Sequence, residues 1–402
     1  MNILKAELPV YGGFVLGRNG GVVFIKGAVP GEVVEVEIIE KRKNYSLAQV
    51  ISVIEPSEFR VEPRCSYFGQ CGGCTLQHIA YERQVSMKEE ILVDCLKRIG
   101  GIETEIAPSI YKDPFHYRHR AQFKVSRDGL IGFFKEGTRD VVAISSCPIM
   151  KEPINEALSR LRASNLSGIK EIHITYGDSL IARIRGRGFD EKLVSEFLGM
   201  GFSGVAFEDH SYSGKGYVSL ALEVPQRRPL IYTVSPWAFF QSNWALNNIA
   251  AGYISEWLSS LEGKTIVYLY AGAGNFALSL SETAKEIIAI EENPDSVKDG
   301  KRNIEINRID NFKFIAQSAE KSIPKGDVFV LDPPRPGLSD KVIRSILEAS
   351  PERIVYVSCN PSTLARDLKK FSEKYSIDSI RSMDFFPNTY HIEALTFLSK
   401  KG

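Results

Sequence analysis

Four short apolar runs in the last third of the chain each end on a residue able to do chemistry. Thr265 to Tyr270 leads into Ala271-Gly272-Ala273-Gly274-Asn275. Ile287 to Ile290 ends at Glu291, Val328 to Leu331 at Asp332, and Ile354 to Val357 at Ser358-Cys359. Unbroken apolar runs of this length are how strands buried on both faces read. Helical stretches separate them. Strands alternating with helices imply a parallel sheet, and ligands of such sheets collect at the carboxyl ends of the strands. This pattern predicts an α/β fold for residues 231–402.

The remainder has a different texture. A chain of 402 residues exceeds one core, so more than one domain is expected. Residues 1–56 read as short strands punctuated by Gly12-Gly13, Asn19-Gly20-Gly21 and Pro30-Gly31. Glu32 to Ile39 alternates close to period two. This predicts a small β-barrel closed off at Glu55-Pro56-Ser57. Residues 57–230 predict a mixed α+β central domain. Ser86 to Ile99 forms an amphipathic helix there, with Met87, Ile91, Leu92, Cys95 and Ile99 on one face, stopped by Gly100-Gly101.

Lys plus Arg total 50 against 49 for Asp plus Glu. No global basic field announces nucleic acid, so any such surface is a local patch. No apolar run reaches the ~20 residues of a membrane span. The N-terminus lacks the layout of a signal peptide. A soluble, cytoplasmic protein with no membrane partner, acting as a monomer, is the expectation.

Each candidate motif has a bland reading beside the chemical one. Gly272-Ala273-Gly274 after a strand lets backbone approach a ligand, and Glu291 can accept from both ribose hydroxyls. A Gly-x-Gly turn alone is weak, and the third glycine of the dinucleotide fingerprint is missing. The Gly-Asn-Phe continuation with Glu291 fits S-adenosylmethionine better than NAD. Asp332-Pro333-Pro334-Arg335-Pro336-Gly337 could be a proline-stiffened loop. Its pre-proline geometry also holds Asp332 toward the crevice. A lone Cys is usually a buried hydrophobe, yet Cys359 follows a strand and precedes Pro361 and a helix. Amides at that helix start are expected to favour the thiolate.

Cys65-x5-Cys71-x2-Cys74, with the distant Cys147-Pro148, offers four thiols in a chain with no export signal. By spacing alone, a zinc tetrathiolate and an iron–sulfur cluster stand level. Gly72-Gly73 would relieve crowding between two ligands. Cys95 reads as packing on its helix.

The strings Phe239-Phe240-Gln241-Ser242-Asn243, Tyr270-Ala271-Gly272-Ala273-Gly274-Asn275, Asp332-Pro333-Pro334-Arg335, Ser358-Cys359-Asn360-Pro361 and His391-Ile392-Glu393 together resemble the RNA (uracil-5-)-methyltransferase family, over nearly the whole chain. The first 56 residues resemble a TRAM domain, which members use to hold RNA. The resemblance implies a Rossmann-like domain that binds S-adenosyl-L-methionine, contacted by Gln241, Tyr270, Asn275, Glu291 and Asp332. It implies Cys359 as nucleophile and Glu393 as general base. It also favours a [4Fe–4S] cluster on Cys65, Cys71, Cys74 and Cys147. Two positions depart from the family pattern: Tyr268 stands where members carry Asp, and Ser318 where a larger polar residue is common.

The reaction implied is 5-methyluridine formation. Carbon 5 of uracil is a poor nucleophile until a thiolate adds to carbon 6. The uridine must be flipped out or already unpaired. Basic residues from Lys112 to Arg139, interleaved with Phe115, Tyr117, Phe123, Phe133 and Phe134, are a candidate RNA surface or equally a solvated face over an aromatic core. His391 reads as structural rather than as the base. Ribosomal RNA is the expected substrate and transfer RNA the alternative. A non-catalytic iron–sulfur RNA-binding protein and an amino-methylating enzyme are the competing classes.

Overall fold

The computed structural model describes residues 2–260 and 262–402. The first six strands form one sheet in the order Asn2–Lys5, Val33–Lys41, Tyr45–Glu55, Val22–Lys26, Phe14–Arg18, Leu8–Val10. All pairs are antiparallel except Val22–Lys26 with Tyr45–Glu55. Alternate residues point inward, so Val34 and Val36 join Leu4, Val15, Val23, Ile25 and Ala48 in a small core. The sheet curls until its first strand lies against Phe14–Arg18. Gly17 makes that approach possible, since a Cβ there would stand 3.0 Å from the Lys5 carbonyl oxygen and 2.8 Å from Ile25 Cδ1.

A second, seven-stranded sheet runs Tyr212–Gly214, Gly204–Phe207, Leu180–Arg185, Glu171–Tyr176, Arg120–Val125, Ile131–Phe134, Val141–Ala143. Helices Glu152–Arg162 and Glu191–Gly199 pack on it through Ile154, Leu158, Leu193 and Phe197. Asp190 caps the second helix, accepting from the Lys192 and Leu193 amides.

The third sheet positions the site. Its order is Phe312–Ala316, Glu286–Glu291, Thr265–Leu269, Val328–Leu331, Arg353–Ser358, Glu393–Lys400, Tyr375–Met383. The first five strands are parallel, Glu393–Lys400 runs antiparallel between its two neighbours, and Tyr375–Met383 again points the same way as the first five. The chain builds outward from Thr265–Leu269 in one direction, then returns to build in the other. The crevice therefore opens at the carboxyl end of that strand. Two apolar layers cover the sheet's faces, one including Tyr268, Phe276 and Val330, the other Leu269, Phe329 and Tyr356. Burial on both sides explains why these strands are apolar throughout.

The helix foreseen over 86–99 spans Tyr81–Cys95 and continues as a single π turn, Leu96–Gly100. It packs on the third sheet through Ile91, Leu92, Cys95 and Leu96. Ile99, expected on the buried face, is 40% exposed. The wider π turn shifts the helical phase, so Leu96 takes the inward position instead. Gly101, at φ 64°, ends the helix. Among the described residues no helix is long and apolar enough to cross a membrane.

Candidate active site

A cavity of about 850 Å³ opens at the carboxyl ends of the third sheet. Every site residue expected from the sequence lines it: Gln241, Tyr270, Asn275, Glu291 and Asp332; Cys359 and Glu393; and the four thiols of Cys65, Cys71, Cys74 and Cys147. The two groups, hundreds of residues apart in part, share one chamber. Cys95 stays outside it, buried on its helix.

One half is built around the glycine turn. Tyr270 adopts φ 59°, unusual for a side chain with a Cβ, and its hydroxyl donates to Glu320 Oε1 at 3.2 Å. Glu291 is held by backbone: Oε2 accepts from the Gly272 amide at 2.8 Å, Oε1 from the Asn293 amide at 2.7 Å. Each oxygen keeps the capacity to accept a further donor. Asn275 and Asn247 exchange amide hydrogen bonds, the Asn247 donation being 2.8 Å long. The Gln241 carbonyl oxygen Oε1 is buried and has no partner among the described residues, so this acceptor has room for a donor. Ser318 hydrogen-bonds Glu320, and Tyr268 is fully buried, its phenol pushed far up by burial and by Asp332.

The other half is dominated by negative charge in a dry setting. Burial and the nearby Glu291 raise the Asp332 carboxyl to about 7. Glu393 is fully buried and held well above the usual carboxylate range by desolvation and by Asp332, with Arg335 opposing. Cys359 is pushed up to about 12 by burial, then by Glu393 and Asp332, against Arg335. Burial, and after it the two carboxylates, outweigh the helix start expected to favour the thiolate. Two local facts also weaken that helix start. Pro361 opens helix Pro361–Phe371 without an amide hydrogen, and the Asn360 side chain takes the Ser362 amide at 3.0 Å. His391 also faces the chamber, and burial lowers its imidazole to about 4, keeping it neutral.

The cysteine lobe has its own scaffold. Asn155 accepts from the Cys147 amide at 2.9 Å and donates back to its carbonyl at 3.2 Å. Gln77 accepts from the Cys65 amide at 3.0 Å. Burial raises Cys71, takes Cys74 to about 11 and Cys147 to about 12, and these thiols also raise one another's values. Among the described residues no three His, Cys, Asp or Glu side chains converge closely enough to hold a metal ion. Gly72 does not relieve a ligand, contrary to expectation. A Cβ there would meet the Phe134 carbonyl oxygen at 3.1 Å.

The basic and aromatic stretch from 112 to 139 is divided, with Lys112, Arg127, Lys135 and Arg139 exposed and other members built into the scaffold. Phe123 and Tyr117 are core, and Arg120 is turned inward onto the Ala238 and Pro236 carbonyls at 2.6 and 3.0 Å. Lys124 pairs with Glu171 at 2.7 Å. Arg118 alone among these cations lines the chamber. Residues not foreseen include Asn247, Glu320, and Phe239 as a 63% exposed ring on the rim. Only Phe239 lay in a noticed string.

The sequence pattern of the tRNA (uracil-5-)-methyltransferase family matches residues 187–325 and 321–401, more than half the chain. The chain belongs to that family. A TRAM domain match covers residues 10–51. Relatives of this RNA (uracil-5-)-methyltransferase extend over its full length. An uncharacterized RNA methyltransferase of Aquifex aeolicus is 34% identical, covering 99% of this chain and 98% of its own. The 23S rRNA (uracil(1939)-C(5))-methyltransferase RlmD of Shewanella amazonensis is 32% identical, covering 98% and 94%. Among solved structures, the Pyrococcus abyssi tRNA (uracil-54, C5)-methyltransferase in complex with S-adenosyl-L-homocysteine aligns over 98% of this chain and 100% of its own, with TM-score 0.77 and 25% identity.

Proposed function

We propose that the protein methylates carbon 5 of an unpaired uridine in RNA, using S-adenosyl-L-methionine, with Cys359 as nucleophile and Glu393 as base. The carrying observation is that Cys359, Glu393 and Asp332 open onto the same chamber as the Gly272 turn and Glu291. The donor is a sulfonium and suits a chamber lined by Glu291, Asp332 and Glu393. Glu291 has oxygens fixed for ribose hydroxyls, and the unpartnered Gln241 Oε1 fits a donor group. The donor supplies an electrophilic methyl group.

Cys359 forms a bond to carbon 6 of uracil, which places an enolate across the ring and makes carbon 5 nucleophilic. Its thiol proton must leave first, and the carboxylates that hold it on, Glu393 and Asp332, are candidate acceptors in the same chamber. A cation in the chamber and Arg335 both favour the thiolate, so the nucleophile is armed once the donor is in place. After methylation carbon 5 carries both hydrogen and methyl. Glu393, desolvated and hence strongly basic when ionised, takes that hydrogen. The electron pair of the carbon 5–hydrogen bond restores the ring double bond as the carbon 6–sulfur bond breaks, returning Cys359 as thiolate.

The four-cysteine lobe is assigned a [4Fe–4S] cluster with a structural role, since methyl transfer moves no net electrons. Support comes from four half-buried thiols that line one lobe of the chamber. Amides of Gly73 and Ile149 point at the Cys71 and Cys147 sulfurs, as thiolate ligands require.

Ribosomal RNA is the proposed substrate, supported by the full-length likeness to the Shewanella amazonensis enzyme. The Pyrococcus abyssi neighbour keeps transfer RNA as the second reading. The test is to map 5-methyluridine in both RNAs with and without the gene, then reproduce it with purified protein. Loss of one ribosomal 5-methyluridine is expected. Loss confined to transfer RNA would shift the substrate, and no loss in either would defeat the reading.

A further inference from the structure

Besides packing on helix Tyr81–Cys95 through Val29 and Met87, the N-terminal barrel reaches the catalytic region with a hairpin tip. Residues Tyr11 to Gly13 join strands Leu8–Val10 and Phe14–Arg18. A Cβ on Gly13 would stand 3.4 Å from Tyr390 Cβ and 3.5 Å from Thr75. The tip is thus seated between the loop before Glu393 and the segment after Cys74. The Tyr11 ring meets Tyr390 edge-on, with centroids 5.8 Å apart. Tyr390 lies 4.4 Å from His391, which lies 5.6 Å from Phe386. His391 and Phe386 line the chamber, and all four rings are half-buried.

Four aromatics kept partly open are an odd way to glue two domains. Fully buried rings would contribute more. They are what unpaired RNA needs, because every base offers a face to stack on. The barrel supplies more of the same: Phe14 and Phe24 at 6.4 Å, then Phe24 and Tyr45 at 5.4 Å. Exposed Lys41, Arg42 and Lys43 precede Tyr45, placed to meet phosphates. Burial first, then the nearby acidic groups Tyr390, Cys359 and Glu393 against Arg335, push the Tyr11 phenol up to about 12. Tyr11 therefore sits within the electrostatic reach of the reacting groups and stays a neutral ring.

We propose that Tyr11 and Tyr390 form a stacking subsite for a nucleotide flanking the target uridine, so that the barrel delivers unpaired RNA onto the catalytic loop. This rests on the uridine-methylating reading above. Tyr11 is a positioning residue, since it touches the neighbouring base and not the reacting atoms.

The test uses the full chain and a single-stranded RNA spanning the mapped site. It carries 5-fluorouridine at the methylated position and 4-thiouridine on each flank in turn. Fluorine at carbon 5 blocks proton removal and holds the RNA on Cys359, fixing its register. Irradiation is then expected to crosslink one flank to the peptide containing Tyr11 or Tyr390. In parallel, Tyr11→Ala should raise the RNA KM about tenfold, the size of one lost base–aromatic stack, with donor Kd unchanged. Tyr11→Phe should restore it. An adduct with crosslinks that miss both peptides, or an unchanged RNA KM in Tyr11→Ala, would overturn the subsite. Absence of the adduct would instead overturn the Cys359 chemistry and the subsite with it.

Discussion

Lys88 Nζ lies 2.7 Å from Asp384 Oδ1 in an ion pair that is almost wholly buried. The same ammonium donates to the Phe386 carbonyl at 3.2 Å. The pair fastens helix Tyr81–Cys95 to the loop that carries Phe386, His391 and Glu393. Gln84 reinforces it, donating to Asn388 Oδ1 at 3.2 Å and accepting from the Asn388 amide at 3.0 Å. Lys88→Met keeps the apolar stem but strands a buried carboxylate. It should lower stability by about 3–5 kcal/mol, measured by urea unfolding. Lys88→Met with Asp384→Asn should recover much of that. A loss below 1 kcal/mol for the single variant would mean that water reaches Asp384.

Asp332 gives the donor site a pH dependence of definite sign. Its carboxyl titrates near 7 because burial and Glu291 disfavour its charge. A sulfonium beside it favours the charged form and so lowers that value in the complex. Donor binding then releases a proton below about pH 7. Affinity should climb as pH rises toward 7, by at most about tenfold per pH unit, and flatten above it. Calorimetry at a series of pH values in buffers of different ionisation enthalpy reads both the slope and the proton. Asp332→Asn should bind weakly with no slope. A flat profile in the wild type would remove Asp332 from the donor's surroundings.

The cysteine lobe is coupled to the same loop. The Thr75 and Leu76 amides, next to Cys74, both donate to the Asn388 carbonyl at 2.9 and 3.0 Å. Anaerobically purified protein should contain iron and sulfide near the ratio of a [4Fe–4S] cluster. Cys147→Ser should lose most of both, lower Tm and slow methylation, while Cys95→Ser should retain them. Stoichiometric zinc, or full iron in Cys147→Ser, would reject the assignment.

The catalytic sheet was legible because its strands are buried on both faces. Runs such as Val328–Leu331 are apolar without interruption, and the chemistry sits where each run stops. Local grammar also exposed glycine turns and the helix stop at Gly100-Gly101. What the sequence hid were relationships made by folding. Lys88 and Asp384 are 296 residues apart, and nothing near either marks the other. Asn247 looked like any helical amide until it met Asn275. The thiol of Cys359 misled for a related reason. Its helix start is local and visible, whereas the burial that outweighs it, and then Glu393 and Asp332, come from other parts of the fold. The stretch from 112 to 139 is mixed, because alternation along Arg120–Val125 turns Ala121 and Phe123 into the core while Lys112, Arg127, Lys135 and Arg139 stay exposed.

Cys359 and Glu393 make opposite predictions when each is removed, and that opposition tests the mechanism. Without the thiol, carbon 5 is never activated. Cys359→Ala should show no detectable methylation while donor binding is kept. Without the base, activation and methyl transfer can proceed but carbon 5 keeps its hydrogen and the ring cannot expel sulfur. Glu393→Gln should therefore accumulate a covalent protein–RNA species, visible as a shifted band on a denaturing gel and carrying label from a methyl-labelled donor. The substitution also replaces a buried acid that holds Cys359 up, so the thiol should titrate lower in this variant and the adduct should form at least as fast as in the wild type. An unlabelled adduct would mean that Glu393 acts before methyl transfer, as acceptor of the thiol proton. Normal turnover in Glu393→Gln would assign the proton to another group, with Asp332 the next carboxylate in the chamber.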